Sequence, residues 1–194
     1  MSELPFVPLL LGGDINVYSM ARAFHEAYGI PSTVFGKYPT GPCRGSKIIL
    51  LSALGEEIDQ AEPLLANVRA FAQRHSDKKV LLIGCGDSYV KRIAENKGRF
   101  PENVVTPYID LDLMNALIHK ERFYALCQRH GIDYPNTFIY RREMGREFTL
   151  PFDPPYIVKP SSGVTYWEHP FPNQNKVYKA RDRAQLLSIL EDVY

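Results

Sequence analysis

Lys120, Lys159 and a run of small polar residues are the strongest candidates for chemistry in this sequence. Lys159 ends the apolar run 155–158, and the strand that this run predicts would tend to bury it. A buried ammonium group needs a partner, because burying it unpaired is costly. Ser161-Ser162-Gly163 follows, and a loop of this composition can turn backbone N–H groups towards phosphate. The pattern fits a clamp for a polyanion and, equally well, an edge-strand lysine paired with a carboxylate.

Two glycine-containing turns form a second group of candidates. Gly12-Gly13-Asp14 follows the apolar run Phe6–Leu11, and Gly84-Cys85-Gly86-Asp87 follows the run Val80–Ile83. Each turn precedes a predicted helix, and ligands of open α/β sheets bind at such carboxyl ends of strands. The simpler alternative is that glycine makes a tight turn and aspartate caps the helix, and the frequency of Asp at caps favours it. Neither turn is G-x-G-x-x-G, so the indication of dinucleotide binding is weak.

Cysteine, histidine and tryptophan give weaker signals. Cys85 lies at a strand-to-helix turn, where a thiol can have a lowered pKa, although a small packing residue is the favoured interpretation. The three cysteines and five histidines show no spacing typical of a disulfide framework or a zinc site. Trp167, the single tryptophan, fits an exposed functional residue and an anchor for its loop equally well.

Composition limits the class of protein. The chain has 194 residues, 45% apolar and 23% charged, which are values of a globular protein. Its net charge of +1 does not indicate binding to nucleic acid or to anionic lipid. The longest near-apolar run, Leu4–Leu11, is far too short to cross a bilayer and lacks the features of a signal peptide. A reducing, cytoplasmic location is therefore expected.

The first two-thirds of the chain alternates strand-like and helix-like segments. The predicted strands are Phe6–Leu11, Ser32–Phe35, Lys47–Leu51, Val80–Ile83 and Val104–Tyr108. Helices with apolar stripes at helical spacing lie between them, and Asp87 is expected to cap the one that ends at Gly98. This order predicts an α/β fold with a parallel sheet covered by helices on both faces.

The pattern changes after Asp110, and a domain boundary is expected near 110–117. Residues 113–130 read as helical, but the apolar phase shifts near His119, which predicts two helices or a kink. The remaining predicted elements are strands at Pro135–Tyr140, Tyr156–Lys159 and Lys176–Lys179, a long loop at Ser161–Asn175, and a last helix with an Asp182–Gln185 capping pattern. The apolar stripe of that helix, Leu186, Ile189, Leu190 and Val193, needs a sheet to pack on.

The stretch from Lys120 to Tyr194 resembles the opening half of an ATP-grasp domain. The matching pieces, in order, are His119–Tyr124, His130–Ile132, Pro135–Thr137, Pro155–Ser161, Tyr166-Trp167 and Lys176–Tyr178. Residues 1–115 resemble the Rossmann-like domain that precedes ATP-grasp domains, and residues 116–194 resemble an incomplete α+β nucleotide-binding subdomain. The Lys-Pro-Ser and Tyr-Trp motifs are most similar to those of the D-aspartate ligase family and other carboxylate–amine ligases, often called carbamoyl-phosphate-synthase-like.

The resemblance implies a ligase that uses ATP to phosphorylate a carboxylate and then joins the acyl group to an amine. Lys120 and Lys159 would contact the nucleotide phosphates, and Ser161, Ser162 and Gly163 would begin the loop that covers them. Gly12, Gly13 and Asp14 would help to bind the carboxylate or amine substrate. Mg²⁺ is the implied metal. Its acidic and asparagine ligands are expected outside this chain.

The sequence ends before the later part of an ATP-grasp domain, so we expect the N-terminal part of a ligase, inactive by itself. Residues 176–194 are then expected to be poorly ordered or covered by another copy of the chain. A homo-oligomer is therefore one of the assemblies that the sequence allows. One alternative is a non-catalytic module that binds a nucleotide or a small acid. Another is a different Rossmann-like enzyme, such as a nucleotide-dependent transferase. A reading frame that continues beyond residue 194 would favour the ligase.

Overall fold

The computed structural model describes residues 4–193 and divides into two units, Met1–Met114 and Asn115–Tyr194. The ranges expected from the sequence, 1–115 and 116–194, include residues 1–3 and 194, which lie outside the described residues. Their assignment to particular domains of a ligase stays a prediction.

The first unit contains a sheet of five parallel strands in the order β3-β2-β1-β4-β5. The strands are β1 Phe6–Leu11, β2 Ser32–Gly36, β3 Ile49–Leu54, β4 Lys79–Gly84 and β5 Val104–Val105. The predicted parallel sheet is therefore confirmed, although β5 is shorter than the sequence suggested. Central β1 pairs with β2 on one side and with β4 on the other.

Helices on both faces explain why β1 is almost wholly apolar. The helices of this unit are α1 Ile15–Tyr28, α2 Gly41–Arg44, α3 Ala61–Arg74, α4 Asp87–Glu95 and α5 Leu111–Ile118, which ends beyond the unit boundary. Leu9 and Leu11 pack in a core with Leu64 of α3, whereas Leu10 packs in a second core with Val17 of α1. Alternate side chains of a strand point to opposite faces, so each face of β1 needs apolar residues.

The second unit is built around a two-stranded antiparallel sheet. Its elements are α6 Lys120–Arg129, β6 Tyr156–Val158, α7 Gly163–Glu168, β7 Tyr178–Ala180 and α8 Arg183–Val193. The predicted break between two helices is confirmed, because His119 has extended backbone between α5 and α6. The backbone N–H of Gln185 donates to the Asp182 carboxylate at 2.8 Å, as the capping pattern predicted.

The apolar stripe of α8 is covered in part within the chain: Leu186 and Leu190 are buried, whereas Ile189 and Val193 stay partly exposed. The expectation that only disorder or another copy would accommodate the stripe is therefore wrong for Leu186 and Leu190. Leu186 and Leu190 are buried in a cluster with Ala180, and Tyr140 and Phe148 pack against that cluster. Tyr140 ends the predicted strand Pro135–Tyr140, and Phe148 lies outside every predicted element. Their covering role depends on tertiary packing that local pattern does not reveal.

Two further predicted elements are wrong. Residues 135–140 form no strand; Tyr140 and Phe138 place their rings 5.2 and 5.4 Å from the ring of Phe148. The long loop at 161–175 contains helix α7, which begins after a Ser162 cap. A short helix of this kind depends on its cap more than on periodicity, and periodicity is what the sequence reading used.

Candidate functional site

The structure brings Lys120 and Ser161 together. Lys120 is the first residue of α6, and its backbone N–H donates to the carbonyl oxygen of Ser161 at 3.0 Å. The preceding residue, His119, forms an isolated antiparallel bridge with Ser162. Two of the predicted phosphate-contacting segments, far apart in sequence, are thus joined through their backbones.

Lys159 lies just beyond the end of β6 and is exposed, so the expectation that its strand buries it is wrong. The strand is only three residues long, and alternation turns Tyr156 and Val158 to the core but Ile157 and Lys159 away from it. Within residues 4–193, Lys159 has no ion pair with a carboxylate. The alternative of an edge-strand lysine paired with a carboxylate therefore finds no support.

Ser162 and Gly163 have different environments. The hydroxyl of Ser162 accepts a hydrogen bond from the backbone N–H of Thr165 at 3.2 Å and contacts the Thr165 hydroxyl at 3.1 Å. Ser162 therefore caps α7, which gives its side chain a structural task. Around Gly163, nothing lies within 4 Å of where a Cβ would be, so this backbone is open to an approaching ligand.

The glycine turns of the first unit meet at the switch point of the sheet. Gly12-Gly13-Asp14 follows β1, and Gly84 ends the adjacent β4 with Cys85-Gly86 directly after it. The backbone N–H of Cys85 donates to the Leu11 carbonyl at 2.8 Å. The strand order reverses between β1 and β4, which is where open α/β sheets bind ligands. The structure thus places both predicted turns at one edge of the sheet.

Close backbone packing accounts for glycine in this region. A Cβ on Gly13 would lie 2.3 Å from the carbonyl oxygen of Tyr38, and one on Gly36 would lie 2.0 Å from that of Gly12. The turn after β1 therefore packs directly on the end of β2. These glycines are explained by packing, whatever ligand the edge binds.

Asp14 caps α1. Its carboxylate accepts hydrogen bonds from the backbone N–H groups of Asn16 and Val17 at 3.0 and 3.4 Å, and from the Asn16 side chain at 3.1 Å. The favoured capping interpretation is confirmed for Asp14. It is wrong for Asp87, which is already the first residue of α4, since Gly86 occupies the cap without a side-chain bond.

The buried thiol of Cys85 behaves as that of a packing residue and not as that of a reactive cysteine. Burial, followed by the nearby Asp14 carboxylate, raises the pKa of Cys85 to about 12. Its thiol therefore stays protonated at neutral pH, and the possibility of a lowered pKa is excluded. Burial likewise raises the pKa of Cys43, whose Sγ donates to the Asp14 carbonyl at 3.3 Å.

A polar cluster at the ends of β2 and β3 was missed by the sequence reading. Lys37 Nζ lies 3.6 Å from Glu56 Oε1 and 3.8 Å from Asp59 Oδ2, and the Tyr38 hydroxyl donates to Glu56. The Tyr89 hydroxyl accepts from the Lys37 backbone N–H at 3.4 Å, and burial, with Asp59, raises the pKa of Tyr89 to about 12. One signal was available: Lys37 directly follows an apolar strand, as Lys159 does.

Two open clefts lie away from the predicted residues. A cleft of about 430 Å³ in the second unit is lined by Ile132, Asp133, Tyr134, Asn136, Thr137, Pro151 and Phe152. Another of about 720 Å³ in the first unit is lined by Ile15, Tyr18, Gly41, Pro42, Gly45, Ser46, Lys47 and Ile48. Neither contains a residue that the sequence reading assigned to a site.

The side chains of residues 4–193 bear on two further functions, metal binding and membrane insertion. In that range no group of three His, Cys, Asp or Glu side chains could hold a metal ion. No helix in the same range is long and apolar enough to cross a membrane.

The fold is similar to part of an ATP-grasp ligase of known structure. No protein-family model matches the chain. The crystal structure of L-amino acid ligase from Bacillus licheniformis superposes with a TM-score of 0.62 at 15% identity, covering 98% of this chain and 43% of that one. The expected fold class is therefore confirmed.

Sequence comparison adds a nearer relative. The chain is a homologue of the D-aspartate ligase of Enterococcus faecium (strain Aus0004), with 36% identity over 195 residues. The match covers 97% of this chain and 46% of the relative, so the chain spans less than half the length of that ligase. The resemblance to ATP-grasp carboxylate–amine ligases is confirmed.

Proposed function

We propose that this chain is the N-terminal part of an ATP-dependent carboxylate–amine ligase. The observation that carries the proposal is the 36% identity to a D-aspartate ligase across 97% of the chain. The link between Lys120 and Ser161 supports it, because it joins two segments that the resemblance assigns to nucleotide binding.

The proposed reaction has two steps. A carboxylate oxygen attacks the γ-phosphorus of ATP, and ADP leaves, which yields an acyl phosphate. The amine nitrogen then attacks the acyl carbon, inorganic phosphate leaves, and the amine loses a proton. Charge that develops on the transferred phosphoryl group is stabilised by cations and by preorganised N–H donors.

This chain would supply part of the nucleotide site. Lys120 and Lys159 would contact the phosphates, with Lys159 also reaching the adenine, and the backbone at Ser161–Gly163 would cover the phosphates. The exposure of Lys159 and the open space at Gly163 are compatible with these roles. Mg²⁺ would neutralise phosphate charge in the complete enzyme, and its ligands are expected in another part of the protein. The chain alone is therefore proposed to be inactive.

The edge of the first sheet would bind the carboxylate or amine substrate. Since the Asp14 carboxylate is engaged in capping, the contribution of Gly12-Gly13-Asp14 would come mainly from its backbone. The proposal includes small-molecule substrates and a cytoplasmic location for the protein. It assigns no role to nucleic acid.

The test uses the full-length protein encoded by the gene, with D- and L-amino acids including D-aspartate as carboxylates and a panel of amines. Sustained release of ADP should require both substrates, because the acyl phosphate formed with the first ADP is consumed only when the amine attacks it. Replacing Lys159 or Lys120 with Met should raise the KM for ATP about 10- to 150-fold, the equivalent of losing a charge-assisted hydrogen bond of about 1.5–3 kcal/mol.

Lys179→Met is the matched control, since Lys179 is exposed on β7 opposite Ile157 and has no proposed role. Nucleotide binding without substrate-dependent ADP release would favour the non-catalytic binding module. An unchanged KM in both folded lysine variants would contradict the assigned nucleotide site.

A further inference from the structure

The segment between Ser161 and Tyr178 is fastened at both of its ends. At the first end, backbone contacts join Ser161 and Ser162 to Lys120 and His119. At the other end, hydrogen bonds of Tyr166 tie the segment to the residues that lead into β7. Such a segment has fewer accessible conformations than a free loop of equal length, because both closures restrict it.

Three hydrogen bonds form a closed ring around the Tyr166 hydroxyl. This hydroxyl donates to the carbonyl oxygen of Asn175 at 2.9 Å and lies 2.7 Å from the Tyr178 hydroxyl. The Tyr178 hydroxyl accepts from the backbone N–H of Asn175 at 2.8 Å. The donors and acceptors are consistent when Tyr178 donates to Tyr166, so every hydroxyl proton in the ring has an acceptor.

Other contacts of Tyr166 reinforce the ring. The side-chain amide of Gln174 donates to the Tyr166 carbonyl oxygen at 2.6 Å. The ring of Tyr166 makes edge contacts with Trp167 and Phe171, with centroids 5.5 and 5.6 Å away. One residue of α7 is thus bound to several points of the chain that follows the helix.

We infer that Tyr166 is a positioning residue: its hydroxyl fastens α7 to the start of β7 and so holds Ser161–Gly163 beside Lys120. Loss of this ring of hydrogen bonds would leave α7 held by Ser161 and Ser162 at its start and, after it, by the Gln174 amide and the ring contact with Phe171. A helix of six residues has little stability of its own, so it would open more often. The role in nucleotide binding rests on the proposed function, whereas the fastening of α7 does not.

The ring of hydrogen bonds around the Tyr166 hydroxyl should persist across the physiological pH range. Partial burial, followed by the hydrogen bond to Tyr178, raises the pKa of Tyr166 to about 12. Ionisation therefore does not compete with the donor role of this hydroxyl near neutrality.

The first experiment measures amide hydrogen exchange in Tyr166→Phe, Tyr178→Phe and the double variant of the full chain. Each single variant keeps the aromatic ring and removes a hydroxyl. Exchange at 161–175 should accelerate about 2- to 10-fold, the effect of one net hydrogen bond. The double variant should exchange little faster than either single variant, because each single substitution already breaks the same ring of hydrogen bonds. Tyr134→Phe is the control, since the Tyr134 ring stacks on Tyr124, apart from the hydrogen-bonded ring.

The second experiment measures KM and kcat for ATP in the full-length protein. Tyr166→Phe should raise the KM for ATP several-fold with a small change in kcat, and Tyr134→Phe should change neither. Unchanged exchange at 161–163 would overturn the inference, whether or not the protein is a ligase. Faster exchange with an unchanged KM would overturn the link to nucleotide binding. Absence of ATP-dependent activity in the wild type would refute the proposed function and leave the exchange result to decide the fastening of α7.

Discussion

At the scale of single residues, Asp14 shows how a candidate binding residue can have a structural task. Its carboxylate caps α1 through the backbone N–H groups of Asn16 and Val17. Asp14→Ala should therefore lower the free energy of unfolding by about 1 kcal/mol, whereas Asp14→Asn should leave it nearly unchanged, since Asn caps equally well. Urea denaturation followed by circular dichroism measures both. Equal stability of the Ala variant and the wild type would exclude the capping role.

The buried thiol of Cys85 should make stability depend on alkaline pH. The pKa of Cys85 is about 12 in the folded chain, against about 8.5 for an unfolded cysteine. Between these values the unfolded state loses a proton that the folded state keeps. The stabilisation is thus complete below pH 8.5 and declines as the pH rises, by at most about 1.4 kcal/mol per pH unit.

Cys85→Ala should make this decline less steep without abolishing it, because burial also raises the pKa of Cys43, which both proteins keep. The comparison is best made from pH 8.5 to 10, because Tyr89, whose pKa is also raised to about 12, adds its own decline above about pH 10. Urea denaturation at several pH values gives the slope, which is compared between the variant and the wild type. The same slope in both proteins would show that Cys85 titrates normally in the folded chain.

At the scale of elements, the turns at the edge of the parallel sheet depend on close backbone contact. A Cβ on Gly36 would lie 2.0 Å from the carbonyl oxygen of Gly12, so Gly36→Ala should force the ends of β1 and β2 apart. We expect a loss of about 1–3 kcal/mol in the free energy of unfolding, typical of overpacking. Gly41→Ala is the control, since nothing lies within 4 Å of its added methyl group. Equal melting temperatures of the two variants would contradict this packing.

The sequence predicted those elements whose signals are local. The apolar run of β1, the cap at Asp14 and the break at His119 are each visible in a short stretch of residues, and the structure contains all three. The predictions that failed concern residues whose conformation depends on contacts with residues distant in sequence. Residues 135–140 read as a strand, yet Phe138 packs its ring on Phe148.

The candidate site shows the same division. Residue types alone indicated that Lys159 and the small residues after it were unusual, but they predicted a buried lysine where the structure exposes it. The contact between Lys120 and Ser161 joins segments that are distant in sequence, and only the family resemblance suggested that they act together. The cluster around Lys37 was missed because its members come from three separate segments.

At the scale of the whole molecule, the two units differ in how much core each contains. Two large apolar clusters lie on the two faces of the parallel sheet, and all their members belong to the first unit. Among the described residues of the second unit, the apolar cluster has three buried members, Ala180, Leu186 and Leu190. Since a two-stranded sheet is marginally stable by itself, the second unit should be less stable than the first when separated from the rest of the protein.

Separate expression of the two parts tests this difference. A cut between Asp110 and Leu111 precedes α5 and leaves every strand of the parallel sheet in the fragment 1–110. This fragment should unfold cooperatively on heating and give dispersed amide signals in a ¹H–¹⁵N spectrum, because its two cores are intact. The fragment 111–194 should melt broadly, since burial of few apolar side chains offsets little of the conformational entropy lost on folding. A cooperative transition in 111–194 alone would show that the sheet of β6 and β7, with α8 packed on it, is a self-sufficient folding unit.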